Sequence, residues 1–518
     1  MLTINPRQEK ELDQRAYKQL IRQLEVDAAI SPASFRTRVL LISCSAYFVL
    51  FSILASLAFM LWYGFFWARE HHQVKIMIEL GIFALLMLPV FYAVLRMFLM
   101  HIPAPQGRVL RRDEAPRLFK LLDKMRRKLR GPAIHTVLID QQYNAAICQL
   151  PRFGLFGGHH NYLILGLPYL LGVSGKEMLA TVAHEYGHLC GNHGKIGAWV
   201  YRQRKTFHAL YEQVNEAAEE DKIQRGLGWL LDYFMPWFNA YTFVLSRQDE
   251  YEADKTATQL AGAAANASGL VRGVLLGRWV HEQFWPTLYK QADTLMRPTI
   301  LPFNAMRTAF RASYAEWATP ERLATALMEE SDLHDTHPAL RDRVDATGET
   351  ALLPPCVEVT AAEALLGATL SRRLIEEFDQ QWWQQERPEW EQRCKYATRS
   401  RTRLAQLRSV PLEQTALMDL QEFALLSAEF DSPQAAKPIL QHLLKQEGGP
   451  YPKAAFIYGK ILLDENNHLG LDYLENAARD DASLVHSVAQ IGYGWFLQTE
   501  DEMAARAWWE KIMPHEDD

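Results

Sequence analysis

The sequence predicts a mostly α-helical chain of 518 residues in three parts. These are an N-terminal hairpin of two membrane-spanning helices, a central α+β domain with a small sheet, and a C-terminal array of paired helices. Three observations carry this reading. Two long apolar segments stand near the N-terminus with almost no charge inside them. A capped helix in mid-chain holds two histidines and a glutamate in the order His-Glu-x-x-His. Toward the C-terminus, small and large residues recur every 34 or 35 positions. A chain this long exceeds one compact core and should form two or three units.

The formal net charge is −6, modest for this size, and does not argue for nucleic acid as a partner. Five cysteines (Cys44, Cys148, Cys190, Cys356 and Cys394) are scattered, odd in number and without C-x-x-C spacing. That argues against a disulfide framework and fits a reducing compartment. Residues 1–38 are a basic segment. From Val39 to Tyr63 no charge occurs, over more than the roughly 20 residues needed to cross a bilayer. The charged segment ahead of it excludes a cleavable signal peptide. A second apolar segment runs from Ile76 to Met100, with Glu79 and Arg96 near its ends, where long side chains snorkel. A buried soluble helix is the other reading of that segment. The short connector Gly64–Lys75 joins the two into a hairpin spanning 39–100. Seven Lys and Arg residues precede it and ten lie between Arg108 and Arg130, against Arg69 and Lys75 in the loop. Both termini and everything after the hairpin are therefore expected in the cytoplasm. The run at Arg108–Arg130 has apolar Leu118, Leu121, Leu122, Met125 and Leu129 at helical spacing. It reads as an amphipathic helix, facing lipid or solvated.

Gly131-Pro132 ends that helix. Ile134–Ile139 and Tyr162–Leu165 read as short strands, with turns at Asp140–Ala146 and Gly154–His160. A strand beside a metal-binding helix can offer a free edge to an extended peptide, or lie buried on both edges. Ser174 followed by Glu177 is a capping-box signature, and Met178, Leu179, Val182 and Ala183 follow at helical spacing. His184 and His188, four residues apart, share one helical face and can share one metal ion. Glu185 can face the ion's open position and take a proton from water there. A buried helix with two hydrogen-bonded histidines is the plain alternative, so a third ligand decides. A ligand six residues after His188 would fall on Gly194; His193 is one residue off and reads as a surface histidine. Glu250 and Asp254 in Ser246–Asp254 lie on one helical face, where one can bind a metal and the other orient a histidine. Arg247 is expected to pair with this acidic face. A solvated charged surface is the alternative.

Ala183-His184-Glu185-Tyr186-Gly187-His188 followed by Ser246-Arg247-x-x-Glu250-Tyr251-x-Ala253-Asp254 resembles the HtpX and CAAX prenyl-protease family of integral-membrane zinc metallopeptidases, the gluzincins. Asn144-Ala145, the hairpin, and Thr336-His337-Pro338 with Arg343 six residues on agree with it. The resemblance covers Val39 to Val344. It implies a gluzincin-type α+β domain over 101–350 and one Zn2+ per chain. It implies His184, His188 and Glu250 as ligands, Glu185 as general base, and Asp254 behind the ligands. His337 and Arg343 are implied beside the metal, stabilising an oxyanion or latching the site. His337 precedes a proline in a polar loop, so a plain surface histidine stays open. Substrates are implied to be proteins or peptides, membrane proteins among them, cleaved in quality control or processing at a bacterial inner membrane. Many relatives carry two more spans between the motif helices. Here the only apolar stretch is Gly226–Ser246, interrupted by Asp232, Pro236 and Asn239. It reads as an aromatic helix (Trp229, Tyr233, Phe234, Trp237, Phe238) lining a substrate cavity or dipping into the interface.

After Val344 the resemblance stops. Leu353-Pro354-Pro355 marks a linker, and 351–410 reads as a charged, Trp-rich helical region. Over 411–518, Ala436, Gly470 and Ala505 are spaced by 34 and 35, each followed by large residues: Ile439/Leu440, Tyr473/Leu474, Trp508/Trp509. Gly459 and Gly494 also differ by 35. This is the tetratricopeptide (TPR) period, and such stacked pairs expose a concave face that suits protein partners. Unrelated helices at coincidental spacing are the alternative. The whole reads as a membrane-anchored zinc endopeptidase. The rival is a metal-stabilised membrane scaffold that recruits partners through its helical tail without proteolysis.

Overall fold

The structure, a computed structural model, describes residues 6–85, 104–151, 159–190, 222–329, 337–499 and 502–513. The side chains of 6–16, of several residues between 46 and 57, and of 222–234 are outside that description. Among the described residues the chain is mostly helical with one four-stranded sheet. It divides into two compact units, Met1–Trp285 with Ile300–Trp382, and Pro286–Thr299 with Trp383–Asp518.

In the first unit, α1 (Pro6–Ile30) and α2 (Pro32–Glu70) meet at Ser31. Pro32 opens α2, where a missing N–H costs nothing and the fixed φ is already helical. Ile21, Leu24 and Ala28 of α1 and Phe35 and Val39 of α2 pack on Ala240, Phe243, Val244 and Leu245. Further along α2, Phe48, Phe59, Met60, Trp62 and Tyr63 are each more than half exposed. Among the described residues no helix is long and apolar enough to cross a membrane. Of the segment expected as a second span, residues 74–85 are helical and 86–100 lie outside the described residues.

The sheet has the order β1-β2-β4-β3, formed by β1 (Arg108–Leu110), β2 (Thr136–Asp140), β3 (Ala145–Pro151) and β4 (His159–Gly166). β2 and β4 are parallel, in register Val137↔Leu163, and the outer pairs are antiparallel. Period-2 burial of Asn161, Leu163 and Leu165 turns one face of β4 to the core. β3 is an edge strand. The polar turn expected over 140–146 gives way to strand at Ala145, whose N–H donates to Asn144 Oδ1 at 2.8 Å. The basic segment is also shorter than expected as a helix. It begins as β1, and only α3 (Pro116–Leu129) is helical. Leu118, Leu122 and Met125 of α3 are buried against protein, so its apolar face is not turned to lipid.

After α4 (Leu167–Gly172) comes α5 (Gly175–Gly187), with both halves of the Ser174/Glu177 capping box formed. Glu177 does more than cap. It is buried, and accepts from the Ser268 hydroxyl at 2.5 Å and from Arg272 Nε at 2.9 and 3.1 Å, both on α7 (Ala263–Trp279). Arg272 also donates to the Pro355 carbonyl at 2.6 Å. A second box, Thr360 with Glu363, faces the first, and the Ala361 N–H bonds the Val173 carbonyl at 2.8 Å. The segment after Leu353 is thereby fastened to the start of α5. The long α6 (Lys222–Ala261) contains Pro236 and the aromatic stretch. Its Phe238 is buried and Trp237 exposed, while Trp229, Tyr233 and Phe234 have side chains outside the described residues. The unit continues through α8 (Pro302–Ala312), α9 (Pro320–Met328) and α10 (Leu340–Ala346) and ends at Trp382 within α11 (Ala368–Arg408).

The second unit holds three consecutive helical pairs: α12 (Leu417–Phe430) with α13 (Pro433–Leu443), α14 (Pro452–Asp464) with α15 (Leu469–Asp480), and α16 (Val485–Thr499) with α17 (Glu502–Ile512). Ala436, Gly470 and Ala505 each sit buried in the second helix of a pair. A Cβ on Gly470 would stand 2.5 Å from the Gly459 carbonyl oxygen, so that pair crosses backbone to backbone. In the last pair Gly492, not Gly494, takes the tight position, against Trp508. The inserted Pro286–Thr299 is held by Arg393 Nε on Asp293 at 2.6 Å and Trp390 Nε1 on the Leu295 carbonyl at 2.8 Å.

Replacing Arg272 with Met should destabilise the first unit by about 3 kcal/mol or more, because Glu177 keeps a buried charge without its counter-ion. Urea denaturation of the full chain reads this, and a loss under about 1 kcal/mol would show that the ion pair carries little.

Candidate metal centre

The centre forms where α5 and α6 cross. A Cβ on Gly187 would lie 3.1 Å from the Ala253 Cα, so the missing side chain is what lets the helices approach. At that separation two acidic residues one turn apart on α6 reach both ring nitrogens of His184. Asp254 Oδ1 is 2.8 Å from Nδ1, and Glu250 Oε2 is 3.3 Å from Nε2. His188 Nε2 stands 3.3 Å from His184 Nε2 and 3.5 Å from Glu250 Oε1.

These three side chains fit a metal ion. Their ligand atoms all lie within 4.8 Å of one another. The 3.3 Å between the two Nε2 atoms and the 3.3 Å from His184 Nε2 to Glu250 Oε2 compare with about 3.3–3.4 Å between ligands of a four-coordinate ion at 2.0–2.1 Å, while the 3.5 Å approach of His188 is to the other Glu250 oxygen, Oε1. Glu250 Oε2 is buried without a hydrogen bond, an arrangement that costs stability unless something else binds that oxygen. A proton on His184 Nδ1, donated to Asp254, leaves the Nε2 lone pair free for the ion.

The surrounding charges suit this. Burial, then the neighbouring His184, takes His188 down to about 4, so its imidazole is neutral at pH 7. Burial pushes against ionisation of Glu250 and Asp254, but the adjacent His184, and for Asp254 also its bonds to His184 and Arg343, bring both to about 2. His184 is pulled down by burial and raised more strongly by Asp254 and Glu250, to about 9, so its Nε2 also holds a proton at pH 7, which a bound ion would displace. Arg343 on α10 forks onto Asp254, Nε to Oδ2 and an Nη to Oδ1, both at 2.9 Å. The same Nη also lies 3.3 Å from His184 Nδ1, so Arg343 reaches the histidine directly as well as through Asp254.

Glu185 is half-buried beside His184 and accepts from the Ile147 N–H of β3 at 3.2 Å. Burial raises its carboxyl above the ordinary range, while His184 and that N–H pull it back. His337 Nε2 lies 3.8 Å from Glu250 Oε1 with its side chain 57 % exposed, which places it at the rim. His193 lies outside the described residues. Arg247 does not pair with the Glu250 face as expected. It reaches Glu25 of α1 at 2.6 Å, while Asp249 and Glu252 meet Arg36 of α2 at 3.6 and 2.8 Å.

A cavity of about 610 Å3 opens from His184 and Glu185, and Asn144, Ala145, Tyr169 and Thr181 line it with one face of α7. Ile147 and Asn266 are participants that sequence reasoning missed. Asn266 Nδ2 holds the Asp254 carbonyl at 3.2 Å. Both contacts join residues remote in sequence. A legible signal did exist in α7, where Gly269, Gly273 and Gly277 recur every fourth position.

Replacing Glu250 with Ala should drop the metal content of the purified full chain well below one equivalent, read by elemental analysis. A fully loaded variant would remove Glu250 from the centre.

Residues 152–351 match the family model for peptidase family M48. No curated protein and no solved structure matches the chain. The matched segment contains His184, Glu185, His188, Glu250, Asp254, His337 and Arg343. The resemblance seen in the motifs is borne out to this extent: the central segment of the chain matches the model of peptidase family M48, a family of metallopeptidases.

Proposed function

We propose that the chain is a membrane-anchored zinc endopeptidase. The observation that carries this is the His184–His188–Glu250 triangle with the half-buried Glu185 carboxylate beside it, at the inner end of an open cavity. Zinc held by these three side chains would supply a Lewis acid for a substrate carbonyl and a water with a pKa near 7. Glu185, already pushed toward protonation by burial, takes the proton from the attacking water and hands it to the leaving amine. Asp254, steadied by Arg343, keeps His184 in the tautomer that presents Nε2. His337, at the rim, can donate toward a carbonyl oxygen as it gains charge, or fold over the opening.

The edge strand supports a peptide substrate. Ile147 points its N–H at Glu185 and away from β4, so the alternate groups of β3 are directed outward, open to an added strand. Anchoring is supported by the exposed apolar side chains of α2 and the uncharged run from Val39 to Tyr63. The lysine and arginine bias supports an inner-membrane protein with both termini and the metal centre in the cytoplasm. The three helical pairs at 34–35-residue spacing support a TPR-like reading and a protein partner there. Clearing or processing membrane proteins fits this combination.

Glu185→Gln should retain zinc and lose cleavage by about 100-fold or more, the usual contribution of a positioned acid–base group. An unchanged cleavage rate would remove Glu185 as the base, and a cellular phenotype indifferent to the substitution would favour the scaffold. A reporter fused after Asp518 should be active in the cytoplasm, and periplasmic activity would overturn the orientation.

A further inference from the structure

One helix of the first unit carries far more positive charge than its folding can use. α3 turns Leu118, Leu122 and Met125 inward. On its outer side Arg117, Lys120, Lys124 and Arg127 follow at steps of three and four residues, all exposed. They form a single stripe about 15 Å long. Arg126, Lys128 and Arg130 flank it and are exposed as well. The helix has one acid, Asp123, and Arg112 takes both its oxygens at 2.8 and 3.1 Å. Among the described residues no carboxylate stands within ion-pairing distance of any of the seven cations. What they touch is carbonyl oxygen: Arg117 that of Ala364 at 3.4 Å, Arg127 that of Asp123 at 3.3 Å, and Lys128 that of Gln259 at 3.2 Å.

Stability does not call for this stripe. Like charges one turn apart, as at Lys120, Lys124 and Lys128, weaken a helix. The helix dipole welcomes Arg126, Arg127 and Lys128 in the last turn but opposes Arg117 in the first. The excess of lysine and arginine that sets membrane orientation is a count, and does not require them on one outward line. The only aromatic of the helix, Phe119, is half-buried under Arg112, 4.9 Å from the guanidinium, so no ring is offered to stack on a base. Fifteen residues separate Met100, the end of the second apolar segment, from Pro116. That leash keeps the stripe within about 55 Å of the segment's end.

We propose that the outward face of α3 docks on the anionic headgroups of the bilayer that holds the N-terminal segments. The inference rests on the membrane-anchored reading. The apolar face of α3 is spent on protein, so the contact is electrostatic, inserts nothing and is screened by salt. Lys128 ties the docked helix to the end of α6, which carries Glu250. Docking therefore sets how the metal centre stands over the membrane.

The test reconstitutes the full chain in vesicles of phosphatidylcholine, alone or with about 30 % phosphatidylglycerol, and follows acetylation of individual lysines by mass spectrometry. At about 0.1 M salt, phosphatidylglycerol should slow Lys120, Lys124 and Lys128 by about threefold or more. Exposed Lys453, in the second unit, is the unchanged reference. At about 1 M salt, where the screening length falls to about 3 Å, the difference should vanish. A variant combining Arg117→Gln, Lys120→Gln, Lys124→Gln and Arg127→Gln should unfold at or above the wild-type temperature and lose the protection of Lys128. Equal rates in the two vesicles, protection shared by Lys453, or protection that survives high salt overturns the docking. So does RNA that protects these lysines where phosphatidylglycerol does not, which would make the stripe a nucleic-acid surface. Retention in phosphatidylcholine vesicles through a carbonate wash reads the anchor separately. A chain washed off these yet protected on phosphatidylglycerol keeps the docking and loses the anchor; a retained chain without protection does the reverse.

Discussion

The centre depends on how closely two helices cross at Gly187 and Ala253. Side-chain bulk at either position would push α6 outward, and a shift of a few tenths of an ångström matters when ligand edges are 3.3–3.5 Å. Because Glu250 and Asp254 are one turn apart, a single helix face grips the imidazole of His184 at both nitrogens. The orientation of His184 and the carboxylate ligand therefore come from one helix, while the two imidazoles come from the end of α5.

That element is itself held from behind. Glu250 and Asp254 face the histidines, while Asp249 and Glu252 face Arg36, and Arg247 reaches back to Glu25. α6 is thus polar on two opposed sides, one spent on the metal centre and the other on the N-terminal helices. Glu177 plays the matching role for α5, since its pairing with Arg272 ties the first turn of the motif helix to α7. The two helices of the centre are braced independently, at the end of one and the back of the other.

What the sequence made legible follows from distance along the chain. The capped motif helix and the shared face of Glu250 and Asp254 are local, set by helical period and by capping chemistry, and both formed. Partners remote in sequence were not legible. Arg247 lies beside its own acidic neighbours yet pairs with Glu25, because α1 packs there through Ile21, Leu24 and Ala28. β3 escaped notice because Cys148 and Gln149 blur its alternation and the turn ahead of it ends abruptly at Asn144. The basic segment misled because Leu118, Leu122 and Met125 look the same whether they meet lipid or protein. The proline pair at Pro354-Pro355 signals a break in secondary structure, but the Pro355 carbonyl and the Thr360 box are fastened to the motif helix.

The chain's path between its two units carries a consequence for anyone dissecting it. Pro286–Thr299 belongs with the C-terminal helices although the metallopeptidase segment flanks it on both sides. The backbone therefore passes from one unit to the other three times. Cutting after Trp382 would not trim off an appendage; it would strand Asp293 and Leu295 without Arg393 and Trp390, and uncover on the remaining piece a surface built to be inside.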